Sequence, residues 1–142
     1  KAFSLSGDFL FEFGKGIFNH PTYLSADESG DLYVVDSLNF KIRIFSLEGK
    51  VIGSFGEMGQ GPGAFSRPKG IALDSEGNLY VTDASFDNIQ VFNKKGKLLM
   101  YFGDTGSRDG EFWLPAGISI DHDKIYVADT HNDRVQVFRY LK

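Results

Sequence analysis

The chain contains no cysteine, one tryptophan, two methionines and four prolines among its 142 residues. The absence of cysteine excludes thiol nucleophiles, disulfides, zinc ribbons and iron–sulfur clusters. No stretch approaches the roughly 18 consecutive apolar residues that a helical bilayer span requires. No basic segment leads into an apolar run in the manner of a secretory signal, so soluble, mature sequence is expected. Basic charge is scarce and scattered: 15 Lys and Arg stand against 19 Asp and Glu, for a net charge of −4. With no cluster of five or more cations, nucleic-acid binding through phosphate contacts is disfavoured. Helical 3.6-residue spacing of apolar side chains is missing throughout.

What the chain has in quantity is phenylalanine, 14 residues, and glycine, 17 of 142, against a usual glycine share of about 7%. Aromatics together with glycine suit β-strands joined by tight turns, and the length suits a single packed unit.

A repeat organises these residues. Phe65-Ser66-Arg67-Pro68-Lys69-Gly70-Ile71-Ala72-Leu73-Asp74 is echoed by Phe112-Trp113-Leu114-Pro115-Ala116-Gly117-Ile118-Ser119-Ile120-Asp121, and earlier by Phe18-Asn19-His20-Pro21 running to Asp27. Pro21, Pro68 and Pro115 are each 47 residues apart. After each proline come a short apolar run, a polar turn and a second run: Leu32-Tyr33-Val34-Val35-Asp36, Leu79-Tyr80-Val81-Thr82-Asp83 and Ile125-Tyr126-Val127-Ala128-Asp129. A third run alternates strictly, as Ile42-Arg43-Ile44-Phe45, Ile89-Gln90-Val91-Phe92 and Val135-Gln136-Val137-Phe138, the pattern of a strand with one buried face. Turns at Glu48-Gly49-Lys50 and Lys95-Gly96-Lys97 then lead to Val51–Phe55 and Leu98–Phe102.

Each repeat therefore predicts four antiparallel strands, a to d, and a four-stranded repeat of about 40 to 50 residues is a propeller blade. The fold expected is all-β, a β-propeller of four-stranded antiparallel blades in the order d-abcd-abcd-abc. Its parts are a leading strand d at 1–14, repeat 1 at 18–56, repeat 2 at 65–103 and repeat 3 at 112–142, the last without strand d. That makes twelve strands, or three blades' worth, and three blades do not close a ring. Two completions are open: a homodimer of six blades joined by strand exchange, or membership of a longer propeller chain.

The Pro-x-Gly-Ile step, the Leu-Tyr-Val-x-Asp strand and the Asn-x-Ile/Val-Gln-Val-Phe strand together resemble NHL repeats, particularly those of bacterial proteins. The resemblance implies half of a mostly six-bladed ring and a bacterial, extracytoplasmic source. It implies little about activity, because propellers host many roles on one scaffold.

Chemical candidates are few. The glycine-rich loops 56–63 and 103–110 lack the lysine and following helix of a phosphate cradle. Asp36, Asp83 and Asp129 recur at the end of strand b and are expected to accept backbone N–H groups in the b–c turn, as Asp27, Asp74 and Asp121 do after strand a. Asp121-His122-Asp123 has ligand-type residues but no third ligand in view. No cofactor and no metal site are expected. Loops carry variation where strands are committed to packing, so binding residues are sought on the face of the d–a and b–c loops. They are His20, Tyr23, Arg67, Lys69 and Trp113 at the d–a connections, with Phe40, Phe86 and His131 at the b–c turns. Exposed aromatics with arginine are what interface hot spots favour, so a protein or peptide partner and a non-catalytic role are expected. The alternative is a metal-dependent hydrolase or lyase at the central channel: the resemblance extends to an NHL-like lyase that completes peptide amidation with metal-binding histidines, and His20 alone maps near such a position.

Overall fold

A computed structural model describes residues 1–122 and 124–139. A short hairpin of β1 (Ala2–Phe3) and β2 (Phe9–Phe11) precedes three antiparallel sheets. Blade 1 comprises β3 (Pro21–Ala26), β4 (Leu32–Asp36), β5 (Lys41–Phe45) and β6 (Val51–Phe55). Blade 2 comprises β7 (Pro68–Leu73), β8 (Leu79–Asp83), β9 (Asn88–Phe92) and β10 (Leu98–Phe102). Blade 3 has β11 (Pro115–Asp121), β12 (Lys124–Asp129) and β13 (Arg134–Arg139). Strands follow chain order within every sheet, so these are the expected blades. The described strands number thirteen rather than twelve because Ala2–Phe3, the tail of a strand c, pairs with the leading strand d. The Tyr140-Leu141 end assigned to the last strand c, and Asp123, lie outside the described residues.

The prolines open strand a in all three blades, where a missing N–H is tolerated. A register shift follows each of them, between Pro21 and Leu24, Pro68 and Ile71, and Pro115 and Ile118. That irregularity bends the inner strand where the blades meet. Thr22 Oγ1 donates to the Lys69 carbonyl at 2.8 Å, Ser37 Oγ to the Pro68 carbonyl at 2.7 Å, and Thr82 Oγ1 to the Ala116 carbonyl at 2.7 Å. Strand a of each later blade is thus tied to the blade before it.

Phenylalanine seals the blade junctions. Phe45, from strand c, stacks with Phe13 and Phe18 at 5.2 and 5.3 Å. Phe92 repeats this with Phe55 and Phe65 at 5.1 and 5.6 Å, and Phe138 with Phe102 and Phe112 at 5.3 and 5.7 Å. Two apolar cores result, one between blades 1 and 2 around Val35, Ile42, Phe65 and Val81, the other between blades 2 and 3 around Ile89, Phe112 and Val127. Among the described residues no helix is long and apolar enough to cross a membrane; the helical content is two short 3-10 turns, Ser37–Asn39 and Thr130–Asn132.

Candidate functional site

The b–c turns are fixed from below by the recurrent aspartates, each fully buried. Asp36 accepts the Asn19 N–H at 2.7 Å, Asp83 those of Ser66 and Arg67 at 2.8 and 2.9 Å, and Asp129 that of Trp113 at 2.8 Å. Most of these donors lie in the preceding d–a connection and not in the b–c turn as the sequence suggests; Ser85 on Asp83, at 3.0 Å, is the turn donor. The aspartates therefore clamp two loops together, which is why residues distant in sequence share one surface. Burial alone would raise the Asp129 carboxyl, but the Trp113 N–H and the Asn132 and Arg134 side chains outweigh it and hold the group below its ordinary value.

On that surface, between blades 2 and 3, lies a cleft of about 260 Å³. Arg67 and Lys69 line it from the start of strand a of blade 2, and Thr130 and His131 from the b–c turn of blade 3. Ala84, Leu114, Pro115 and Ala116 make its apolar floor. Trp113, half exposed, stands beside it with its ring 5.4 Å from that of His131. No acidic side chain lines the cleft, and among the described residues none forms an ion pair with Arg67, Lys69 or His131.

Four of the eight residues singled out by sequence, Arg67, Lys69, Trp113 and His131, are thus brought together. The other four are not. His20 is exposed, with a left-handed φ of 68°, and its carbonyl receives the Ser37 N–H at 3.2 Å. Tyr23 borders a separate recess with Pro21, Leu24 and Val34. Phe40, also left-handed at φ 56°, packs against the core between blades 1 and 2. Phe86 lines a different cavity beside strand c of blade 2. The sequence alone does not single out Thr130 or Ala84, because ordinary small side chains leave no signal of lining a cleft.

The opposite face carries a wider cavity of about 550 Å³ among the a–b turns, with Asp27, Asp74 and Asp121 on its wall. The first two accept turn N–H groups, Asp27 from Ser29 and Asp31 and Asp74 from Glu76 and Asn78, as expected. Lys94 bridges to Asp27 at 2.9 Å, and Asp121 pairs with His122 at 2.8 Å. Among the described residues no three His, Asp or Glu side chains converge as metal ligands.

The family described as NHL repeat matches residues 112–138, and a family described as a 6-bladed beta-propeller matches residues 25–84. These sheets are blades of a β-propeller, the last of which matches an NHL repeat. Among solved structures, a streptogramin B lyase is 18% identical with a TM-score of 0.60 over 82% of this chain and 39% of its own. A catalytically inactive virginiamycin B lyase from Staphylococcus aureus, solved with quinupristin, is 19% identical with a TM-score of 0.56 over 86% of this chain and 42% of its own. A Bacteroides thetaiotaomicron protein of unknown function reaches a TM-score of 0.71 at 17% identity, over 84% of this chain and 34% of its own. The chain spans about two fifths or less of the length of these proteins, and at such identities the likeness is one of fold. No functionally curated protein matches the sequence.

Proposed function

We propose that this NHL-type propeller is a non-catalytic platform that recognises a protein or peptide through an acidic side chain seated in the cleft between blades 2 and 3. The observation that carries the reading is the convergence of Arg67, Lys69 and His131 on one cleft whose described lining includes no acidic side chain, the nearby Asp83, Asp87 and Asp129 being engaged by backbone N–H groups beneath it, in a chain whose net charge is −4. A guanidinium and an ammonium together form charge-assisted hydrogen bonds to a carboxylate. Trp113 offers the aromatic anchor that interface hot spots favour. The cleft, at about 260 Å³, is below the roughly 300–1,000 Å³ of sites that enclose a drug-sized molecule, and suits one or two side chains of an extended partner.

The His131 ring faces Trp113 at the edge of the cleft, which suits it to contact a bound side chain. The remaining three blades of the ring, in this reading, come from a second copy of the chain, closing six blades under two-fold symmetry.

Capture of synthetic peptides that differ only in Glu and Asp content tests the reading. Acidic peptides should be retained and released by rising salt, and replacement of Arg67, Lys69 and Trp113 by serine should weaken capture at least about tenfold, or roughly 1.4 kcal/mol. Unchanged capture by the triple variant, with its circular dichroism intact, would remove the cleft from consideration.

A further inference from the structure

Repeats 1 and 3 neutralise their buried b–c aspartate with an arginine of strand c. In repeat 3, Arg134 Nε donates to Asp129 Oδ2 at 2.9 Å, while its terminal nitrogens donate to the carbonyls of Ser107, Arg108 and Glu111 at 2.9, 2.7 and 2.9 Å. In repeat 1, Arg43 Nε donates to Asp36 Oδ2 at 2.6 Å and Nη2 to the Ile17 carbonyl at 3.1 Å. Asn39 and Asn132 add an amide donor to the same carboxylates, at 2.7 and 2.9 Å.

Repeat 2 keeps the frame and lacks the cation. Asp83 is fully buried, and among the described residues its oxygens receive only the backbone N–H groups of Ser66, Arg67 and Ser85. Asn88 pairs with Asp83 across the sheet as Arg134 pairs with Asp129, and Phe86 takes the place of Asn132 in the turn. The loop above is built the same way in both repeats. The Gly63 N–H donates to Gln90 Oε1 at 2.8 Å as that of Gly110 does to Gln136 Oε1 at 3.0 Å. The Ala64 N–H reaches the Gly61 carbonyl at 3.1 Å as that of Glu111 reaches Arg108 at 3.1 Å. Gln60, Gly61 and Ala64 therefore correspond to the three residues whose carbonyls hold the Arg134 guanidinium.

At this place the chain has a cavity of about 220 Å³, lined by Gln60, Gly61, Pro62, Phe86, Asn88 and Tyr101 along with Gln90. Asn88 Oδ1 is buried without a hydrogen-bond partner, the only such side-chain oxygen or nitrogen among the described residues. Gln90 does not serve it, since its two amide ends are taken by Gly63 and Ala64.

We propose that this cavity seats the guanidinium of an arginine side chain supplied by a partner chain. A planar fork of N–H donors matches several carbonyls at once where an ammonium, a point charge, does not. Its charge would lie beside Asn88, the strand partner of the otherwise unneutralised Asp83, and Phe86 and Tyr101 provide aromatic walls for a cation. The mouth is accessible, because Gln60, Gly61, Pro62 and Tyr101 are exposed. The two linings share no residue, so the seat is tested independently of the cleft between blades 2 and 3.

The test is an NMR titration of the chain with N-acetyl-arginine methylamide and with its citrulline counterpart, which keeps the shape and loses the charge. Arginine should move the backbone amides of Gly61, Gly63 and Asn88 saturably, with citrulline at least about tenfold weaker. Asn88→Arg should supply the group in cis, as Arg134 does, abolishing the saturable shifts and raising Tm. Absence of saturable shifts with arginine, equal binding of citrulline, or unchanged arginine binding by a folded Asn88→Arg protein would overturn the proposal. Should Asn88→Arg fail to fold, the comparison of the two probes on the unmodified chain decides.

Discussion

Asp129 shows how one side chain couples two loops. Its folded carboxyl lies below the ordinary value of 3.8, so its hydrogen bonds add stability that is complete above about pH 4 to 5 and is lost as pH falls through the folded value. Denaturant unfolding measured across pH is expected to be flat near neutrality and to weaken below about pH 4. Asp129→Asn should cost about 1–3 kcal/mol at pH 7 and flatten the acid limb; an unchanged acid limb in that variant would contradict the assignment. The recurrence of Asp36, Asp83 and Asp129 was legible in the sequence, and so was their role as acceptors of N–H groups. Their partners were not, because the donors lie 16 or 17 residues away in the chain and meet the carboxylate only when the d–a connection folds over the turn. The Asn88 position was equally silent, since its meaning lies in a comparison of strand registers that sequence spacing alone does not supply.

At the level of strands and blades, close backbone approach and phenylalanine hold neighbouring blades together. A Cβ added to Gly70 would lie 2.4 Å from the Ala116 carbonyl oxygen and 3.1 Å from Ile118, so strand a of blade 2 meets strand a of blade 3 backbone to backbone. Gly70→Ala is expected to destabilise by about 1–3 kcal/mol or more and to loosen the cleft, which thermal unfolding with peptide capture would read together. Phe92, 1% exposed, joins Phe55 to Phe65, and Phe92→Ala should cost about 3–5 kcal/mol; a loss below 1 kcal/mol would mean that the junction is not held this way. The order of strands within the blades was readable because apolar alternation and the proline spacing repeat three times. Phe40 illustrates what was not: its turn position suggests exposure, yet the left-handed backbone there turns the ring onto the core between blades 1 and 2.

The three blades form an arc whose last strand leaves Val135 and Val137 64% and 56% exposed. An apolar sheet face of this kind is stable when another blade covers it. If a second copy completes the ring, light scattering should return twice the 15.8 kDa chain mass; a single-chain mass would contradict that closure and place the covering blades in a longer polypeptide. The proposed recognition depends on the same arrangement, since the cleft lies where blades 2 and 3 are set side by side. Trp113, the one tryptophan of the chain, stands at its edge and reports on it directly. Titration of the protein with a glutamate-containing peptide, followed by Trp113 emission, is therefore the most direct measurement. A saturable, salt-sensitive change is expected, and it should disappear when Arg67 and Lys69 are replaced by serine; an emission unaffected by the peptide, or an equal change in that variant, would contradict recognition through the cleft.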